Sequence, residues 1–407
     1  MPSVIRTLAI GGGVAAGLAA TVAAGLRHAV FGGSPEGDRL ARMQRSPQWR
    51  DGRFQNPTPS AMTGSPKAVW DWLTADRGLR QPTDEVPIEP RHAADFAEPQ
   101  DLRLTWLGHG TTLVEIEGTR FLIDPVFSRH ASPGPAFGVA RFHEPPLALA
   151  EVPALDAVVL THDHYDHLDM ETVRRLAPRV PLWVCPLGVG AHLERWGVLP
   201  GRIAELDWWD ETTVSGIRLA ATPARHFSGR SLRDRNRTLW CGWAVIGARH
   251  RVWATGDGGY DRAFAEVGER LGPFDATLAE IGAYNAEWAD IHMGPEQAVR
   301  AVRDDRGGVM VRVHWGTFNL AFHGWTEPAE RVIVAAQAAG VPLAVPRPGQ
   351  SVVPADPPAV GRWWPEQSWQ TADQAPIVSS GLEPRRKEEA PEERYDGDRK
   401  PRRGVAP

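Results

Sequence analysis

Residues 161–169 read T-H-D-H-Y-D-H-L-D, so one short stretch sets the imidazoles of His162, His164 and His167 beside the carboxylates of Asp163 and Asp166. Imidazole nitrogen and carboxylate oxygen are the donors that zinc and similar divalent ions favour. Spaced as H-x-H-x-D-H, they can face two neighbouring ions. The stretch follows residues 156–160, an apolar run that reads as a buried strand. A polar surface turn has no need of alternating donors at the mouth of such a strand.

Three further strand-like runs end in a metal-capable side chain: 219–225 leads to His226, 252–256 to Asp257 and 309–313 to His314. Each alone is ordinary. Ligands at one end of adjacent strands converge, which is how a sheet positions a site with its loops. Two divalent ions held this way acidify a shared water and clamp the oxygens of a phosphodiester. No protein nucleophile is then needed, and no serine or cysteine elbow motif occurs.

The positioning elements follow from pattern. Runs 102–107, 112–116 and 120–123 are separated by glycine-containing turns, as consecutive antiparallel strands are. Further strands are expected at 156–160, 182–185, 217–221, 239–246, 252–254, 276–280, 309–313 and 343–345. Helices are expected at 170–176 behind an Asp169 cap, at 262–270, at 295–302 with proline in the first turn, and at 328–339. Strands outnumber helices and alternate with them, which predicts an α/β layer architecture. No internal repeat is visible.

With 407 residues the chain can form one large domain or two smaller ones. A net charge of -5 argues against a general nucleic-acid binder. Cys185 and Cys241 sit in apolar surroundings and read as core thiols, and most tryptophans read as packing residues. Residues 7–26 form an apolar run between Arg6 and Arg27, long enough to span a bilayer; an uncleaved anchor is favoured over a secretory signal cut near 23–25. Arg27, Arg39, Arg42 and Arg45 outweigh Arg6, which leans the body toward the cytoplasmic face. The expected organisation is an anchor or signal at 1–33, an extended arm with one or two short helices at 34–100, the main domain at 101–350, and an arm at 351–407 that becomes disordered from Thr371.

The ligand order resembles the metallo-β-lactamase superfamily. W-L-G-H-G-T from Trp106, F-L-I-D-P-V-F-S from Phe121, I-G-A-Y from Ile281, P-E-Q-A-V from Pro295 and H-W-G-T-F from His314 are similar to the N-acylphosphatidylethanolamine-hydrolysing phospholipase D family. So are D-G-R-F from Asp51 and Asn56-Pro57, so the likeness covers roughly residues 45 to 350. It implies an αββα four-layer sandwich holding two zinc ions, one on His162, His164 and His226 and the other on Asp166, His167 and His314, with Asp257 bridging. Asp257, Asp166 and His292 would serve catalysis, and Tyr165 and His292 would line the site and contact phosphate, though a plain surface role for His292 stays open. Asp124 either orients a ligand imidazole or caps its turn. Asp163 flanks the ligands, and His109 reads as structural.

The implied function is a membrane-associated di-zinc hydrolase cleaving the phosphodiester of N-acylphosphatidylethanolamine or a related phospholipid by metal-bound hydroxide, in a chain that could form a homodimer. The alternatives are a lactonase or phosphodiesterase for a small soluble substrate, a di-iron redox protein, which His164 and the lack of a flavin module disfavour, and a non-catalytic tethered scaffold.

Overall fold

The computed structural model describes residues 29–60, 77–134 and 138–380. The expected anchor 7–26, part of the expected arm at 61–76 and the tail beyond 380 lie outside the described residues. Among the described residues no helix is long and apolar enough to cross a membrane.

Two seven-stranded sheets carry the structure. β1 (Leu102–Gly108), β2 (Thr111–Ile116), β3 (Thr119–Ile123), β4 (Ala157–Val159), β5 (Trp183–Pro186) and β6 (Ile203–Leu206) belong to the first. β7 (Glu211–Val214), β8 (Ile217–Thr222), β9 (Gly242–Ile246), β10 (Arg251–Ala254), β11 (Phe274–Glu280), β12 (Gly307–Val313) and β13 (Leu343–Ala344) form the second, and β14 (Ser351–Val352) returns to pair with β1. In the first sheet β1 to β3 are an antiparallel meander and β3 to β6 run parallel. The second repeats the plan: β7 to β10 meander and β10 to β13 run parallel. The duplication is one of topology, with no repeat in the sequence to announce it.

Alternation along the strands assigns each side chain to a layer. Phe121, Ile123, Ala157 and Val159 join a cluster with Leu219, Trp243 and Trp253 of the facing sheet. Leu122 and Val158, pointing the other way, pack with Val173 and Leu176 of α2 (Met170–Leu176) and Leu193 of α3 (Gly190–Arg195); α1 (Gly37–Met43) precedes both in the arm. The second sheet is covered by Phe264 of α4 (Ala263–Leu271), Val302 of α5 (Pro295–Asp304) and Val332 of α6 (Glu327–Ala339). The result is the four-layer αββα sandwich. Trp106, Trp183, Trp240, Trp243 and Trp253 are fully buried within it, and cutting any one back to alanine costs about 3–5 kcal/mol.

The strands the sequence does not announce are at the edges. β6 carries Glu205, which meets Arg39 of α1 at 2.6 Å, and β7 reads E-T-T-V with Glu211 and Thr213 exposed. β7 buries only Val214, and the four residues of β6 send Leu206 and Ala204 to one cluster and Ile203 to the other, too short a pattern to show alternation. The C-terminal arm departs from expectation in the other direction: disorder was expected from Thr371, yet the chain stays docked through Ser380. An Arg331 guanidinium N–H donates to the Ala375 carbonyl at 3.1 Å, and Ser379 is fully buried. Hydrogen bonds hold this segment, and a composition poor in apolar residues gives no sign of them.

Candidate metal centre

β8, β10, β11 and β12 share one direction, because β8 and β10 are both antiparallel to β9 and β10 to β12 are parallel. Their C-terminal ends carry His226, Asp257, Glu280 and His314 at one rim of the second sheet. Parallel β3 and β4 of the first sheet end in Asp124 and the 161–169 loop. Strand polarity alone therefore gathers every donor at one mouth.

Two donor groups form there. In one, His164 Nδ1 lies 2.9 Å from His162 Nε2 and 3.2 Å from His226 Nε2. In the other, His314 Nε2 and His167 Nε2 lie 3.3 and 3.4 Å from Asp166 Oδ2. Asp257 Oδ2 belongs to both: it is 3.0 Å from His314 Nε2, 3.1 Å from His167 Nε2, 3.8 Å from His162 Nε2 and 3.9 Å from His226 Nε2. All seven donors expected from the sequence come together at this mouth.

The protonation balance separates the two groups. Burial, reinforced by neighbouring imidazoles, holds His162 and His226 well below the ordinary histidine range, and burial lowers His164. These are neutral rings with lone pairs to offer. Burial would also lower His314 and His167, but Asp257 and Asp166 outweigh it, raising His314 to about 10 and His167 well above its usual value. Burial would raise Asp166 and Asp257, and His167 and His314 instead hold both well below the carboxylate range. His167 Nε2 is buried without an aligned hydrogen bond although two carboxylate oxygens are near. A divalent cation suits both donor groups: it would meet converging imidazole nitrogens in one and the two carboxylates in the other.

The ligands are held from behind. Asp124 Oδ2 is 2.8 Å from His167 Nδ1, while its Oδ1 accepts the Thr161 backbone N–H at 2.8 Å, so of the two roles open to Asp124 orientation of a ligand is realised. His226 Nδ1 faces the Ile291 carbonyl at 2.8 Å, and Asn56 of the arm donates to the His226 carbonyl at 2.7 Å. His109, Asp124 and His314 adopt positive φ of 49°, 42° and 62°. Such non-glycine backbone costs on the order of 1 kcal/mol each and persists where the surroundings impose it.

The remaining candidates sort by contact. His109 Nε2 lies 2.9 Å from Asp166 Oδ2, so this structural residue also fixes a ligand carboxylate. Asp169 caps α2 by accepting the Glu171 N–H. Asp163 turns away from the ligands to accept from the Gly229 N–H and Thr238 hydroxyl, at 2.7 and 2.8 Å. Tyr165 commits its hydroxyl proton to the Arg230 carbonyl at 2.6 Å, and its ring lies under the Arg230 guanidinium at 4.0 Å, so it does not offer the free donor expected for phosphate. His292 stands beside the donors, its ring 5.0 Å from that of His226 and its Nδ1 3.0 Å from Glu280 Oε2. Glu280 is the residue the sequence reading passed over. Its sign was present: an acidic side chain closing an apolar strand, as Asp257 and His314 follow theirs.

Residues 119–315 match the family described as Beta-lactamase superfamily domain. An uncharacterised protein of Mycobacterium tuberculosis is 47% identical over 331 residues, covering 79% of this chain and 88% of the relative. A Caenorhabditis elegans protein named N-acyl-phosphatidylethanolamine-hydrolyzing phospholipase D 1 is 38% identical over 260 residues, covering 61% of this chain and 72% of the relative. Among solved structures, an isothiocyanate hydrolase from Delia radicum gut bacteria superposes with a TM-score of 0.50 at 21% identity over 62% of this chain and 98% of the other, a likeness of fold.

Proposed function

Because the chain belongs to the metallo-β-lactamase superfamily, in the family of the N-acyl-phosphatidylethanolamine-hydrolysing phospholipases D, and is a metal-dependent hydrolase, we propose that it uses two zinc ions to cleave a phosphodiester of a membrane glycerophospholipid. The observation carrying this reading is the Asp257 Oδ2 atom, shared by two donor groups of complementary chemistry. His162, His164 and His226 would hold one ion and Asp166, His167 and His314 the other. Bound there, the pair would supply an acidified water and positive charge against the phosphoryl oxygens.

The chain's own groups supply the rest. Glu280 holds the His292 ring through Nδ1, and the protonated form of that ring would carry a second N–H, on Nε2, to give the departing head-group oxygen. In hydrolysis of the phospholipase D type the water oxygen bonds to phosphorus, the phosphorus–head-group bond breaks, and the released alcohol takes a proton from this side. The loops carrying His226, His292 and His314 also carry half-buried Phe227, Trp288, Leu320 and Phe322, an apolar rim fitted to acyl chains. The named activity of the C. elegans relative points to N-acylphosphatidylethanolamine or a close analogue, and the apolar run 7–26 supports a membrane location with the body on the cytoplasmic face.

The test is release of phosphatidic acid from N-acylphosphatidylethanolamine vesicles by zinc-replete protein. Full zinc loading with no phosphatidic acid, alongside turnover of a lactone or a soluble phosphodiester, would replace the lipid reading with the small-substrate one.

A further inference from the structure

Ala29 and Val30 are docked at one edge of the metal loop. Trp196 Nε1 donates to the Ala29 carbonyl at 2.6 Å, and Arg230 Nε donates to the Val30 carbonyl at 2.9 Å. The same Arg230 donates through Nη1 to the carbonyls of Asp163 and Leu168, at 2.7 and 2.8 Å, inside the metal loop. One buried guanidinium thus ties Val30, four residues past the apolar 7–26 run in the sequence, to the stretch holding four of the donors. Val30, Tyr165, Arg230 and Arg129 line a cleft of about 300 Å³ at this point.

Arg230 begins a loop, 230–237, that reads R-S-L-R-D-R-N-R. Leu232 is fully exposed at its tip, the most exposed large apolar residue among the described residues. Arg233, Arg235 and Arg237 around it are exposed as well. Asp234 is the loop's single acid, and its Oδ1 accepts the backbone N–H groups of Arg230 and Ser231 at 3.1 and 2.7 Å, which shapes the loop. Across the cleft Arg129 is exposed too, with Glu144 3.6 Å away. An apolar tip ringed by arginines, on the side of the body where Ala29 and Val30 are docked, is complementary to a bilayer carrying negative head groups.

We propose that this face, the 230–237 loop with Leu232 at its tip and the cleft edge at Arg129, is laid on an anionic lipid surface, with Leu232 in the interface and the arginines among the phosphates. It deepens the lipid-hydrolase reading and takes its substrate from it: the anchor and loop would hold the metal mouth at the membrane, so that a phospholipid enters without crossing water. Each arginine near an anionic surface contributes about 1 kcal/mol, so reversing one charge should shift docking about 5- to 30-fold.

The full chain is reconstituted in phosphatidylcholine vesicles with and without phosphatidylglycerol, and a fluorophore is placed by Leu232→Cys or, on α6 of the other sheet, by Val334→Cys. Cys185 and Cys241 are buried and free, so the label goes to the introduced site. Spin-labelled lipid should quench position 232 strongly when phosphatidylglycerol is present and position 334 little. Added salt, or Arg233→Glu in the Leu232→Cys chain, should reduce the quenching at 232. No quenching at 232, or equal quenching at 334, overturns the proposal. Turnover is read separately: Leu232→Glu should lower activity on vesicle lipid at least about 5-fold and leave a soluble phosphodiester unaffected, and equal loss on both substrates counts against docking. Quenching at 232 without hydrolysis of any lipid would sink the lipid-hydrolase reading and leave the docking face standing.

Discussion

Glu280 and His292 meet at 3.0 Å between Oε2 and Nδ1, while the other Glu280 oxygen accepts the Gly258 backbone N–H at 2.6 Å, one residue past Asp257. One buried carboxylate therefore steadies both a catalytic candidate and the backbone beside the shared ligand. Glu280→Gln should lower kcat about 10- to 100-fold with zinc content and KM little changed. Steady-state kinetics beside metal analysis checks this, and a kcat within twofold of the parent would remove Glu280 from the mechanism.

Asp257→Asn weakens the donor set at the atom common to both groups. Bound metal measured by elemental analysis should fall below two ions per chain, and kcat should drop by roughly 10³-fold or more. Chelation should also lower the melting temperature, since an ion at 100 times its Kd stabilises by about 2.7 kcal/mol, and zinc should restore it. Full metal content in the variant with unchanged kcat would contradict the bridging role.

Arg225 and Asp290 form a buried ion pair at 2.9 Å, with Ser379 and Ser380 of the C-terminal arm packed on it. Arg225 precedes His226 in the chain, and Asp290 precedes Ile291, whose carbonyl orients His226. Asp290→Ala leaves the guanidinium uncompensated and should cost about 3–5 kcal/mol, with loss of activity in the folded fraction. Chemical denaturation followed by assay of the folded protein measures both. A stable, fully active variant would show the clamp to be dispensable.

Asp305, far from the metal mouth, gives a pH signature. Burial raises it to about 8, with the Thr277 hydroxyl, 3.1 Å away, opposing. The folded protein therefore keeps a proton that the unfolded chain sheds from about pH 4. Its favourable contribution is whole below that pH and is lost as pH climbs through 8. Asp305→Asn stays neutral throughout, so its unfolding free energy should gain on the parent between about pH 4 and 8, by up to about 1.4 kcal/mol per pH unit, and run parallel above. A pH-independent difference would mean that the carboxyl titrates normally.

The donors were legible because metal chemistry restricts residue type and spacing so tightly: His162 to His167 lie in one loop, and His226, Asp257 and His314 each end a run of buried residues. The strands ending in them were legible for a related reason, since burial on both faces leaves apolar runs that nothing else explains. Glu280 was hidden because one acid at a strand end has many ordinary meanings, and only its distance to His292 singles it out. Tyr165 sits inside the motif, yet its orientation depends on Arg230, sixty-five residues away in the chain. β6 and β7 were invisible because four residues make too short a pattern, and the 371–380 segment for want of apolar contrast. Edge strands and hydrogen-bonded straps owe their order to partners elsewhere in the chain.

The doubling of the sheet plan has a consequence for biosynthesis. The first sheet contributes His162, His164, Asp166 and His167, and the second contributes His226, Asp257 and His314, with β12 among the last strands made. On the ribosome the first four donors emerge long before His314 exists, so neither donor group is complete until the second half has been translated and has closed on the first. Lasting capture of metal by both donor groups would therefore be an event of the finished chain, and it would mark the moment at which two similar halves become one protein.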